Sequence, residues 1–167
     1  MTHTTGLDIN PATPADVPLL LQLIRDLAEY ENLLPEVVAT EDLLQQALFG
    51  PRPVVEAVVA RSGGEAAGFA LFFHNFSTFL ARSGIYLEDL FVRPEFRGHG
   101  IGKALLVHLA QIAVARGCGR FEWAVLDWNR PARDFYEGLG ARAVPQWMLH
   151  RITGPAMQHL AAGGPAD

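Results

Sequence analysis

The sequence predicts a mixed α/β fold: a mostly antiparallel sheet of about seven strands, with helices on both faces. Three observations predict it. β-Branched and apolar runs at 54–60 and 68–76 flank the turn-like stretch "RSGGEAA", which asks for an antiparallel hairpin. A strand, a helical run and a second strand follow one another between 84 and 126, which asks for a parallel pair joined by a right-handed crossover. Helical periodicity also precedes the strands, so both sheet faces have a cover.

Each element has its own warrant. "LDINPAT" reads as a short strand broken by Pro11. Thr13 then caps a helix over about 14–31, with Pro14 and Asp16 in its first turn. Val17, Leu20, Leu21, Ile24, Leu27 and Ala28 recur there at helical spacing. Thr40 caps a second helix, "EDLLQQALF", which "GPRP" ends. After the 54–60 and 68–76 strands, "TFLARSG" reads as loop and 84–92 as the next strand, stopped by Pro94. Gly100 to Arg116 is a helix with Ile101, Leu105, Leu109, Ile112 and Ala113 on one side. A strand at 120–126 follows, then a short helix opened by Asn129 and closed by Gly140. "ARAV" and "QWMLHRI" are expected as closing strands, and 154–167 as a short helix and tail. One domain is expected over 1–167, with its core at about 7–153.

Composition narrows the function classes. A net charge of −5 gives no support for non-specific nucleic-acid binding. Cys118 is the only cysteine, so an intrachain disulfide and a CxxC metal site are both excluded. It sits in "RGCGR" on an expected turn and is a poor nucleophile candidate. A reducing, cytoplasmic setting is the simplest expectation. "MTHTTGLDIN" lacks the basic and apolar regions of a signal peptide, and no apolar run approaches membrane-spanning length. His74, His99, His108 and His150 form no ligand-spaced pair, and no metal is expected.

The stretch that carries chemistry is "RPEFRGHGIGKALL", 93–106. Gly98, Gly100 and Gly102 alternate between the end of a strand and the start of a helix. The first amides of a helix have no internal partners, and its dipole adds positive potential there. Glycines let a ligand approach the backbone; Arg97 adds a fork of donors and Lys103 a point charge. An anion site results, and a pyrophosphate suits it. It is not a P-loop: Arg97 holds the place of that motif's first glycine, and Ala104 stands where Ser or Thr is required. Nor is it a dinucleotide fingerprint, because Lys103 or Leu105 falls where the third glycine belongs.

Arg97, Gly100 and Gly102 instead match Arg/Gln-x-x-Gly-x-Gly/Ala. That pattern resembles the coenzyme A loop of the GCN5-related N-acetyltransferases (GNAT). "YLEDLFVRPEFRGHGIGKALL", "DWNRPARDFYEGLGA" and "LIRDLAEYENL" resemble the diamine (spermidine/spermine) acetyltransferase branch of that superfamily. The resemblance runs from about 9 to 160, in order. It implies acetyl transfer from acetyl-coenzyme A, as co-substrate, to a primary amine of a small molecule, by direct attack in a ternary complex. It also implies a central parallel pair that splays apart, and a homodimer. No nucleic-acid or membrane partner is implied.

The same resemblance assigns residues. Leu90, Phe91 and Val92 would offer backbone hydrogen bonds to the pantetheine arm, with an N–H near Val92 polarising the thioester carbonyl. Gly98, His99, Gly100, Ile101, Gly102 and Lys103, with Arg97, would hold the pyrophosphate. Asn129, Pro131 and Ala132 would also contact the coenzyme, although Asn129 is a good helix N-cap whatever the function. Tyr136 matches the general acid that protonates the departing thiolate; packing beside Phe135 is the plain alternative. Glu88 matches the carboxylate that anchors the amine and takes its proton, with burial raising its pKa. Asp89 would point the other way in a regular strand, and a bulge would bring both acids to the amine. Tyr30 and Glu31 match an amine-contacting pair, and Trp128 would wall an aliphatic chain or cover the core.

Two departures bear on the substrate. Thr78, and the stretch "ARAVPQW", stand where polyamine-acetylating relatives carry acids. Recognition of a long polycation is thereby weakened, and a shorter, lysine-like amine is favoured. Other acceptors remain open: a protein N-terminus, a lysine side chain or an aminoglycoside. A non-catalytic acyl-coenzyme A sensor is the second alternative.

Overall fold

The computed structural model describes residues 6–164. The described residues fall into two units, divided after Ala124.

In the first unit the order is β1 (Leu7–Pro11), α1 (Val17–Tyr30), α2 (Glu41–Phe49), β2 (Glu56–Ser62), β3 (Glu65–Ser77), β4 (Arg82–Val92), α3 (Ile101–Ala115) and β5 (Phe121–Trp123). Short 3-10 turns at 14–16, 34–36 and 94–96 join them. The strands form one sheet in sequence order. β1 to β4 pair antiparallel, and β4 pairs with β5 in parallel across the α3 crossover. Pro11 does not break β1; it is the strand's last residue, opposite Val58. An edge strand tolerates it because one side of its backbone needs no ladder donor.

The helix starts follow the sequence. Asp16 accepts from the Thr13 N–H at 2.8 Å and from its hydroxyl at 3.0 Å, so the acid ties down the turn that leads into α1. Thr40 accepts the Leu43 N–H at 3.2 Å and starts α2. The apolar stripes of both helices then bury against one sheet face: Leu20, Leu23, Leu27, Leu44 and Leu48 pack with Val59, Phe69, Leu71 and Phe91. Fully burying one such side chain stabilises the fold by about 1.5–3 kcal/mol. α3 covers the opposite face. Its Gly102 approaches the Val92 and Leu90 side chains, which alternate with Phe91 along β4.

Two features of β4 shape the site. Its pairing with β3 slips by one residue: Leu71 opposes Asp89, but Phe72 opposes Leu87. Glu88 is therefore the extra residue of a β-bulge. Second, β4 pairs with β5 only from Ile85 to Leu87 and runs on to Val92 without that neighbour. A strand expected over 120–126 is accordingly reduced to 121–123.

The second unit holds α4 (Arg130–Gly138) and α5 (Gly154–Ala161). Asn129 caps α4, accepting the Ala132 N–H at 3.3 Å. The helix closes with the Ala141 N–H donating to the Tyr136 carbonyl at 3.1 Å.

The expected seven strands are five among the described residues, because "ARAV" and "QWMLHRI" form none. Pro145 supplies no N–H, and the Trp147 N–H folds back to the Val144 carbonyl at 3.2 Å. That turn interrupts the extended path a strand needs. The mixed α/β class stands, with a five-stranded sheet. Among the described residues no helix is long and apolar enough to cross a membrane.

Candidate active site

β4 carries both halves of the site in the first unit. At its middle, the bulge breaks the usual alternation. Glu88 is exposed, while Asp89 is half-buried on the face that holds Leu71 and Phe91. Burial pushes the Asp89 carboxyl up to about 6, and the nearby charges of Glu88 and Glu31 push it the same way. Burial also raises Glu31, at the C-terminus of α1. Three carboxylates are thus gathered from two elements. Like charges destabilise one another, so an arriving cation relieves both the repulsion and the burial cost.

At its end, β4 offers backbone groups on one side. The Arg93 N–H donates to the Ala67 carbonyl of β3 at 2.9 Å. Antiparallel strands alternate, so Phe91 also faces β3, whereas the N–H and C=O of Leu90 and Val92 point away from it. These two residues lie beyond the last pairing with β5. Phe91 contributes its buried ring to the core.

The anion loop follows. Gly98 and Gly100 have φ of +78° and +79°, and a β-carbon on either would meet nothing within 4 Å. Left-handed backbone with open space above it suits glycine and leaves room for a ligand. Gly100 is the N-cap of α3 and supplies no side-chain cap, unlike Thr40 and Asn129 on their helices. The first α3 amides, at Ile101, Gly102 and Lys103, are therefore turned outward without an intrahelical acceptor. Lys103 is exposed on that first turn; the Ile101 side chain is buried, leaving its backbone for any ligand. His99 is exposed and lies 3.3 Å from the Phe96 carbonyl through Nδ1.

Arg97 is fixed from two directions. Its Nε donates to the Val92 carbonyl at 2.8 Å. Its guanidinium carbon lies 4.8 Å from the Tyr30 ring centre and 5.4 Å from that of Phe91. Tyr30, Phe91 and Arg97, with Asp26, Arg93 and Glu95, wall a cleft of about 460 Å³ between α1 and the end of β4. Arg93 ties that end down, donating to the Ala66 carbonyl at 3.1 Å and facing Asp26 at 3.7 Å. The sequence carries no local signal for the Tyr30–Arg97 contact.

The second unit holds the remaining expected residues. Trp128 precedes the Asn129 cap, and Pro131 and Ala132 form the first turn of α4. Tyr136 lies one turn on, its ring 5.5 Å from that of Phe135.

The chain is similar in sequence and in fold to known proteins. The sequence model of the Acetyltransferase (GNAT) family matches residues 21–141. A thialysine N-epsilon-acetyltransferase of Sus scrofa is 39% identical over 92% of this chain and 96% of its own. An L-ornithine N5-acetyltransferase of Arabidopsis thaliana is 36% identical, covering 95% of this chain and 89% of its own. Among solved structures, an integron cassette protein from V. cholerae superposes with a TM-score of 0.79 at 28% identity, over 93% of this chain and 98% of its own. The chain belongs to the GNAT family of acetyltransferases, and its curated relatives act on small-molecule amines.

Proposed function

We propose that this enzyme transfers an acetyl group from acetyl-coenzyme A to the side-chain amine of a short basic amino acid, the class named for its thialysine and ornithine relatives. The observation that carries the proposal is on β4: an acid pair, exposed Glu88 beside half-buried Asp89, lies on the same strand that leads into an open, uncapped anion loop.

The residues fit the coenzyme. Arg97, the outward amides of Ile101 to Lys103, the open backbone at Gly98 and Gly100 and the Lys103 ammonium suit a diphosphate. Leu90 and Val92, with backbone groups turned from β3, suit a pantetheine arm lying alongside. When bound, acetyl-coenzyme A supplies the acyl group as a thioester.

The chain's own groups then do four things. Glu31, Glu88 and Asp89 hold the cationic amine. A carboxylate of the Glu88–Asp89 pair accepts the ammonium proton, directly or through water, because only the free amine attacks. The Val92 N–H donates to the carbonyl oxygen as it gains charge. Tyr136 gives a proton to the sulfur as the C–S bond breaks and the C–N bond forms, which is the role the resemblance assigns to it. Asn129, Pro131 and Ala132 complete the coenzyme contacts in this scheme. Trp128 flanks the aliphatic part of the amine, and a homodimer is the expected assembly; both rest on the resemblance alone.

Thr78 lies on the turn between β3 and β4, where no carboxylate is offered to a distant second ammonium. A short acceptor is therefore preferred to spermidine. A steady-state panel of thialysine, L-ornithine, L-lysine, putrescine, spermidine, a peptide N-terminus and an aminoglycoside tests this with acetyl-coenzyme A. The highest kcat/KM is expected for one of the amino acids. A preference for spermidine, the peptide or the aminoglycoside overturns the substrate class, and no acetylation of any amine overturns the activity.

A further inference from the structure

We infer that Tyr30 is a positioning residue for the coenzyme, acting through Arg97, and not primarily a contact for the amine. The inference rests on the proposal that Arg97 binds the coenzyme diphosphate.

Tyr30 and Arg97 are far apart in the sequence, on α1 and on the loop after β4. Their contact is nevertheless close, with the guanidinium carbon 4.8 Å from the ring centre. An arginine on an exposed loop ordinarily loses several rotatable bonds of freedom when it grips a ligand. Here that freedom is already restricted. The Val92 carbonyl takes the Nε donor, and the Tyr30 and Phe91 rings attract the cation. Among the described residues the Nη donors have no hydrogen-bond partner, and Arg97 itself remains exposed. An aligned fork with free outer donors is the state a diphosphate needs.

The ring's polar end is not required for this task. A cation is attracted by the face of the ring, so phenylalanine at position 30 should serve, while leucine should not. Phe91 is buried and held by the core, so it cannot be tested without disturbing the fold. Tyr30 is 46% exposed, and its replacement leaves the core intact.

Calorimetric titration of coenzyme A tests the inference without needing an amine. Four proteins are compared with the unaltered chain: Tyr30→Phe, Tyr30→Leu, Arg97→Ala and the double variant Tyr30→Leu/Arg97→Ala. The expected Kd stays within about twofold for Tyr30→Phe, rises about fivefold for Tyr30→Leu, and rises more than tenfold for Arg97→Ala. The double variant should match Arg97→Ala alone, because the ring has nothing left to hold. Additive losses in the double variant would mean that Tyr30 acts through the fold and would overturn the inference. An unchanged Kd in Tyr30→Leu, beside a weakened Arg97→Ala, would overturn it while leaving the diphosphate site standing. An unchanged Kd in Arg97→Ala would overturn both.

Discussion

Asp89 lies directly opposite Leu71, and the next pair along the two strands is Phe72 with Leu87. Glu88 has no partner between them. This single slip lets two adjacent acids share one neighbourhood, which a regular strand forbids by sending neighbours to opposite faces. It also places Asp89 under α1, close enough for Glu31 to raise its pKa.

Glu88→Gln should therefore damage amine use and spare the coenzyme. We expect kcat/KM for the amine to fall at least tenfold, the lower end of what a positioned proton acceptor contributes, while the Kd for coenzyme A changes less than twofold. Equal losses on both sides would remove Glu88 from the amine site. Initial-rate kinetics beside calorimetry make the comparison.

Asp89 has a pH signature of its own. Its carboxyl titrates near 6 in the folded protein against an ordinary 3.8. The folded state thus binds that proton more tightly than the unfolded chain, so stability falls as pH rises from about 4 to about 6 and stays reduced above. Asp89→Asn removes this penalty. With partial screening by solvent allowed for, the gain is about 1–2 kcal/mol at pH 7.5, or a few degrees in Tm, and it vanishes at pH 4. Activity should move oppositely, being lost in the variant at every pH and in the unaltered enzyme below about pH 6. Thermal denaturation at the two pH values, with rates alongside, checks both signs.

Gly100 separates shape from charge. Asparagine and aspartate tolerate left-handed backbone better than other residues with a β-carbon, and space above Gly100 is open. Both variants should fold with Tm values within a few degrees of the unaltered chain. Gly100→Asp places a negative charge at the α3 N-terminus and should abolish coenzyme A binding. Gly100→Asn should weaken it only severalfold. Equal affinities in the two variants would show that the loop is not an anion site.

Tyr136→Phe keeps the ring and removes the proton. A fall in kcat of about tenfold or more is expected, with the Kd for coenzyme A unchanged. An unaltered kcat would leave Tyr136 as a packing residue beside Phe135.

Much of this site is legible in the residues themselves. Caps such as Thr40 and Asn129 mark helix starts because their hydrogen bonds are local. The Arg97–Lys103 loop is equally local: its glycine spacing, its arginine and the helix that follows are all consecutive. The bulge is different. Glu88 and Asp89 are visible as adjacent acids, but their shared environment depends on register with β3, and register is a property of the pair of strands. The Tyr30–Arg97 contact is long-range for the same reason. "QWMLHRI" illustrates the opposite failure. Its composition suits a strand, yet it lies beyond a Pro145 turn and forms no ladder among the described residues. For the acceptor, Thr78 and "ARAVPQW" favour a short, lysine-like amine without excluding other acceptors, and the similarity to thialysine and ornithine acetyltransferases supports that class.

A crystal structure of the protein with acetyl-coenzyme A tests the central claim most directly. The predicted result is a diphosphate seated on the amides of Gly98 to Lys103 and on the Arg97 Nη donors, with the pantetheine arm along Leu90 and Val92. A coenzyme bound elsewhere, with those amides still facing solvent, would contradict it.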